Sequence, residues 1–124
     1  MSDYCSKADV EARFGTTNVA TWASLAEGDD AAAQVARVAV ARTVAQAEMD
    51  DILRCKGEYE SKLPLDTVPT TITEMTAIRT GLWLYTFRAA DDMTNADGFI
   101  SWVWKYYRQW IDDVQSGRVK LDIS

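Results

Sequence analysis

The chain has 124 residues, of which 48% are hydrophobic and 26% are charged, and its formal net charge is -6. A chain of this length buries about two thirds of its unfolded surface on folding, which predicts a single domain over residues 1–124. The hydrophobic and charged fractions exclude the disordered class. It contains no histidine, the commonest general base and zinc ligand. We therefore expect no enzymatic activity, and the acidic balance argues against non-specific binding of nucleic acid.

No segment of the sequence predicts a membrane span. The longest uncharged run, from Phe14 to Ala26, is broken by polar residues and is shorter than the ~20 residues that a bilayer requires. Residues 1–13 carry charges where a signal peptide would need an apolar stretch. We therefore expect a protein made and kept inside a cell, with Cys5 and Cys55 as reduced thiols.

Helix signals begin near the N-terminus. Ser6 with Asp9 is a suitable cap and Gly15 a suitable stop, which predicts a short first helix. Residues 16–28 predict one or two further turns of helix. A long helix is predicted from Ala31 to Lys56, where neither glycine nor proline interrupts the chain.

This long helix is apolar on two sides, which is typical of a helix that lies between two layers. In so small a chain, the second layer is expected to be another subunit. The first stripe consists of Val35, Val38, Ala45, Met49, Ile52 and Leu53, and the second of Ala33, Ala36, Val40, Val44 and Ala47.

A non-helical segment, residues 58–69, follows and holds both prolines of the chain. Thr71 and Glu74 then form a capping box, which predicts a helix that runs to about Ala90. After a polar turn, the last helix is predicted from Phe99 to Gln115.

The last helix carries most of the aromatic residues, and its apolar face covers about half of the circumference. After it, residues 118–123 alternate strictly between polar and apolar, which predicts a short strand whose partner edge lies in a neighbouring molecule. The main stripe of the helix consists of Phe99, Trp102, Val103, Tyr106 and Trp110, and Ile100, Trp104, Tyr107 and Ile111 widen it.

Candidate chemical motifs are weak. The segment from Asn95 to Gly98 resembles part of a calcium loop, but Met93 and Trp104 occupy the positions of two essential acidic ligands, so a polar turn is the favoured interpretation. The chain also contains four Asp-Asp pairs. Adjacent residues on a helix point about 100° apart, so the two carboxylates of a pair do not converge on one ligand, and we interpret them as surface acids. The aromatic helix could stack bases or bind an apolar ligand, but core packing with a subunit contact is preferred. No metal and no cofactor is predicted.

Several segments, taken in order, carry a more specific pattern. They are Arg13-Phe14-Gly15, Ala47-Glu48-Met49-Asp50-Asp51-Ile52-Leu53, Leu63-Pro64-Leu65 with Val68-Pro69, and Trp110-Ile111-Asp112-Asp113-Val114 followed by Gly117-Arg118-Val119-Lys120-Leu121. Over nearly its whole length, the chain thus resembles the Mu-like phage head-tail connector family of neck adaptor proteins.

The resemblance implies a structural protein of the virion neck, at the head-tail interface, that assembles in the host cytoplasm. Such connectors resemble adaptors that form a homo-oligomeric ring, commonly of twelve copies, beneath the portal protein and offer a docking surface to the tail or to a stopper. DNA would pass through the channel without specific binding. The resemblance implies no membrane contact, cofactor or catalytic residue.

We therefore predict an all-α connector subunit, about a four-helix bundle with one long central helix and a short C-terminal β-strand. The alternative is a small cytosolic helical module that binds an apolar partner through Trp102, Trp104 and Trp110. The residues predicted to contact other proteins are Leu63, Pro64, Leu65, Val68, Trp104, Ile111, Val119, Leu121 and Ile123.

Overall fold

A computed structural model of the chain describes residues 3–24, 31–55, 57–89, 98–121 and 123. Within them the secondary structure is entirely helical, which confirms the predicted fold class. The segment Asn95-Ala96-Asp97 and the pairs Asp29-Asp30 and Asp91-Asp92 lie outside the described residues. The helices are α1 (Lys7–Phe14), α2 (Thr16–Ala23), α3 (Ala31–Arg54), α4 (Gly57–Glu60), α5 (Thr70–Ala89) and α6 (Gly98–Gln115).

The first helix begins and ends at the residues that its local sequence predicts. The Asp9 N–H donates to the Ser6 hydroxyl (3.1 Å), and the Ser6 N–H donates to the Asp9 carboxylate (2.8 Å). Gly15 follows with a φ of 89°, a conformation that glycine adopts without steric cost, and α2 starts at the next residue. A single glycine thus separates the two helices.

Helix α5 is the most enclosed element, because α1, α2, α3 and α6 all pack against it. Its buried polar residues, Thr76 and Thr80, satisfy their hydroxyls within the helix by donating to the carbonyls of Ile72 (2.7 Å) and Thr76 (2.8 Å). Its buried apolar residues are Ile72, Met75, Ala77, Ile78, Leu82 and Leu84.

The long helix α3 lies at the surface of the described fold, with one side in the core and the other exposed. Its first stripe is buried as predicted except at Val35, which is 50% exposed. Its second stripe is exposed at all five positions, and Val40 is also 50% exposed. The described residues thus leave apolar surface on α3 uncovered.

Helix α1 crosses α5 at Gly81. The ring of Phe14 lies where a side chain at position 81 would project, so that any Cβ there would overlap the ring. Phe14 is 5% exposed and belongs to the core. A glycine that helix propensity alone would disfavour is therefore required by packing.

The predicted C-terminal strand is not formed in the described residues, 118–121 and 123. After Gly117, which has a φ of 84°, the Val119 N–H donates to the Asp113 carbonyl (3.1 Å) and turns the chain back over α6. Val119 and Leu121 pack against the core, and Ile123 is 7% exposed. The alternation of polar and apolar residues arises because alternate side chains face the core. The described residues contain no strand edge with which the tail could pair.

Gly81→Ala is expected to destabilise the protein by about 1–3 kcal/mol, because the added methyl group overlaps Phe14 and forces α1 away from α5. Helix propensity alone predicts instead that Gly81→Ala raises the free energy of unfolding by about 1 kcal/mol. Urea denaturation followed by tryptophan fluorescence measures the free energy of unfolding. Gly57→Ala is the control, because nothing lies within 4 Å of its added Cβ. If Gly81→Ala lowers the free energy of unfolding no more than Gly57→Ala does, the proposed packing of Phe14 on Gly81 is contradicted.

Candidate interaction surfaces

The 58–69 segment, here called the loop, and the C-terminal tail, both predicted to contact other proteins, lie side by side. The prediction that this segment is non-helical was wrong at its start, where residues 58–60 belong to α4. The Leu121 N–H donates to the Tyr59 hydroxyl (3.0 Å). The Lys62 ammonium donates to the Ile123 carbonyl (2.9 Å). Residues 59–69, 118–121 and 123 therefore form one continuous surface, here called the loop-tail surface.

Within this surface, most of the predicted interface side chains already contact their own chain. Leu65 is 2% exposed, and Leu63, Val68, Val119 and Leu121 pack, partly buried, against the core. Loop and tail are thus anchored to their own chain, and their binding to another protein stays a prediction. The exposed residues of this segment are Glu60, Ser61, Lys62, Pro64, Asp66 and Thr67.

Tyr4 fastens the loop to α3. Its hydroxyl donates to the Asp50 carboxylate and accepts from the Leu65 N–H (2.8 Å), and its own N–H donates to the Gln46 side-chain oxygen (2.9 Å). Burial and the neighbouring Asp50 raise the pKa of Tyr4 to about 12. Sequence reasoning missed this contact, since its partners are 46 and 61 residues away and no local pattern signals it.

A second polar junction joins α3, α5 and α6. The Arg79 Nε donates to one Glu48 carboxylate oxygen (2.8 Å), and the Tyr107 hydroxyl donates to the other (3.0 Å). Burial, together with the charge of Glu48, raises the pKa of Tyr107. This junction connects α6, through Glu48 of α3, to Arg79 of α5.

The junction also places the two predicted interface residues of α6. The Trp104 ring lies 5.9 Å from the Arg79 guanidinium and 5.4 Å from that of Arg108, in cation–π contact with both. Trp104 and Ile111 are partly buried and pack against the core. Trp104 is thus held between two cations of its own chain.

Three of the five residues in the main apolar stripe of α6 are exposed. Phe99 is 53%, Trp102 62% and Tyr106 42% exposed. The buried face of α6 is instead formed by Ile100, Val103, Tyr107, Trp110 and Val114. With apolar residues over half of the circumference, the pattern could not decide which side faces inward.

A groove of about 250 Å³ lies beside these aromatic residues and is here called the aromatic groove. The rings of Trp102 and Tyr106 stack at its edge, with centroids 5.6 Å apart and planes 11° from parallel. Across from them, the Arg13 guanidinium forms an ion pair with the Glu74 carboxylate. Its lining is completed by Phe14, Ile78, Phe99 and Val103.

A larger groove, of about 340 Å³, lies between α3 and the residues before α1, and is here called the α3 groove. Its floor has small side chains only, whereas its rim carries charge. Arg42 spans it by donating to the Cys5 carbonyl (3.0 Å) and to the Asp3 carboxylate (3.1 Å). The floor residues are Ala39, Thr43 and Ala47, and the polar lining is Asp3, Arg42, Gln46 and Asp50.

Across the described ranges, no group of three or more cysteine, aspartate or glutamate side chains is placed to hold a metal ion. None of the helices seen in that part of the chain combines the length and the hydropathy of a membrane-spanning helix.

The fold and these surfaces define a small all-α protein that carries aromatic and small-residue grooves on different helices. A family model described as Bacteriophage Mu, Gp36 matches residues 4–124. Because the match covers almost the whole sequence, the chain belongs to this family, which confirms the resemblance to a Mu-like phage family. No curated protein and no solved structure gives a significant match.

Tyr4→Phe is expected to lower the free energy of unfolding at pH 7 by about 1–3 kcal/mol, since it removes the acceptor of the buried Leu65 N–H. The pKa of Tyr4 in the folded state, about 12, lies above its ordinary value of 10.0. Its contribution is therefore complete below pH 10 and is lost as the pH rises to about 12.

Urea denaturation at pH 7 and across this alkaline range tests both effects. The stability of Tyr4→Phe should fall less steeply with rising pH than that of the unmodified protein. Tyr106→Phe, at an exposed position, is the control and should leave stability at pH 7 unchanged. An equal alkaline slope in Tyr4→Phe and the unmodified protein would show that Tyr4 does not titrate as described.

Proposed function

We propose that the protein is a head-tail connector subunit, and that its copies form a ring beneath the portal which links the capsid to the tail. The observation that carries this proposal is the family match over residues 4–124. Membership in this phage family supports a structural, virion-associated protein. The neck position and the ring follow from the resemblance to Mu-like head-tail connectors.

The loop-tail surface supports a docking role. Tyr59 and Lys62 hold the tail, and Tyr4 holds the loop against α3. A surface that is ordered before binding loses little conformational freedom when a partner docks. The exposed Pro64 and Thr67 at the loop then offer a fixed shape to the portal protein, or to the tail or stopper.

The charge of the chain agrees with a channel through which DNA passes. With a net charge of -6, the protein does not present the excess of lysine and arginine that neutralises phosphates. A wall of this kind would let the duplex move, whereas a strongly basic wall would retain it. DNA is therefore proposed to pass without specific binding.

Mixing the purified chain with purified portal tests the proposal directly. We expect native mass spectrometry to detect several copies bound to one portal assembly, and electron microscopy to show a ring at the end of the portal. Thr67→Arg should weaken this binding by about 10-fold or more, because it places a long charged side chain on the docking surface.

The matched control is Thr21→Arg, which makes the same change at an exposed position on α2. Both variants should keep the thermal stability of the unmodified protein. Equal portal binding by the two variants would exclude the loop from the contact, and a folded chain with no affinity for portal would reject the connector role.

That last result would favour the second candidate, a helical module that binds an apolar partner. The observation that supports it is the exposed aromatic groove, where Trp102 is 62% exposed. Of the other two tryptophans first assigned to this role, Trp104 is partly buried and Trp110 is 8% exposed. The binding surface of such a module would therefore be the aromatic groove rather than the three tryptophans together.

A further inference from the structure

The α3 groove has the shape of a receptor for large side chains. Its floor is made of Ala39, Thr43 and Ala47, which leave about 340 Å³ open. On α3 beside the groove, Val40 is 50% and Val44 38% exposed. When an apolar side chain fills a concave surface with a small-residue floor and adjoining exposed valines, apolar area is removed from water, and the binding free energy becomes more favourable.

The edge of the aromatic groove, by contrast, is a projecting surface. Trp102 and Tyr106 stack on each other and project from α6. Aromatic side chains of this kind, already ordered and largely exposed, are the residues that most often dominate the binding energy of protein interfaces.

The charges beside the two surfaces are complementary. Lys105 is exposed three residues after Trp102, and its ammonium group forms no ion pair or hydrogen bond within the described part of the chain. The rim of the α3 groove carries two carboxylates, Asp3 and Asp50, against one guanidinium, Arg42. The Asp3 side chain is 79% exposed and so remains accessible to a second cation. A lysine approaching this rim is attracted to it.

One copy cannot bring its own two surfaces together. Asp3, at the α3 groove, precedes α1, whereas Arg13 and Phe14, at the other end of α1, line the aromatic groove. Helix α1 therefore separates the two grooves, and its packing at Gly81 prevents them from closing on each other.

We propose that Trp102 and Tyr106 of one copy insert into the α3 groove of a second copy, with Lys105 beside the carboxylates of its rim. The contact joins two unlike surfaces, so each copy keeps one of each free for the next neighbour, and the series closes into a ring if the rotation permits. A two-fold contact of α6 with itself would instead place Lys105 near its own counterpart. The inference rests on the proposed ring and names the surfaces by which its copies meet.

Disulfide trapping tests the contact. In a Cys55→Ser background, which removes the exposed thiol and leaves the buried Cys5, single variants Thr43→Cys and Tyr106→Cys are prepared. We expect oxidation of their mixture to give the mixed dimer as the main product, and oxidation of either variant alone to give little dimer. Homodimers in yields equal to or above the mixed dimer would overturn the contact.

Sedimentation of the otherwise unmodified chain gives a second measurement. Trp102→Ala should weaken self-association by about 10-fold or more, as expected for a tryptophan at the centre of an interface. Phe87→Ala is the matched control, since Phe87 is an aromatic residue of similar exposure, 59%, that lines neither groove. Equal weakening by the two variants would overturn the inference, as would a purified chain that stays monomeric at millimolar concentration.

The portal-binding experiment separates this inference from the proposed function. A ring that forms on the portal without the mixed disulfide would reject these surfaces and leave the connector role intact. Failure of the chain to bind portal, with the mixed disulfide still formed, would retain the contact between copies and reject the connector role.

Discussion

The contact between Phe14 and Gly81 is the constraint on which the arrangement of the helices depends. Because α5 has no side chain at position 81, the end of α1 lies directly against it. The Phe14 ring then contacts Trp22 of α2, with ring centroids 5.4 Å apart, and Phe99 of α6, at 6.3 Å. One aromatic ring thus connects four helices. The same contact brings Arg13 next to Glu74, so a wall of the aromatic groove follows from the packing of the core.

The limits of the helices could be predicted from the sequence because short-range signals determine them. The Ser6 cap and the Gly15 stop each depend on residues within four positions of one another. The predicted capping box of α5 was wrong, because the helix begins at Thr70 and Thr71 lies inside it, while Glu74 pairs with Arg13. Helix α3 ends at Arg54, close to the predicted end at Lys56. The exposed second stripe of α3 was predictable too, since helical periodicity fixes which residues share a face.

Which side of a helix or segment faces the core was harder to predict, because contacts with distant parts of the chain decide it. Helix α6 has apolar residues around about half of its circumference. The face that packs inward includes Tyr107, whose hydroxyl bonds Glu48, 59 residues away. The period of two in the tail indicated a strand, but the same period also suits an extended segment that lies on a core. Sequence periodicity cannot distinguish these two cases, since both bury alternate side chains.

Tyrosine hydroxyls make the connections that hold the predicted docking segments and α6 in place. Tyr4 joins α3 to the loop, Tyr59 holds the tail, and Tyr107 joins α6 to α3. In each case the phenol ring is buried and the hydroxyl bonds a group from a distant segment. Because the pKa values of Tyr4 and Tyr107 are both raised, these two hydroxyls stay protonated, and keep their hydrogen bonds, at any physiological pH.

A chain without histidine that joins its segments in this way changes little in shape or charge across that range. Such constancy suits a protein whose proposed role is to hold several copies and their partners at fixed angles, because the geometry of a ring tolerates little variation in its subunits.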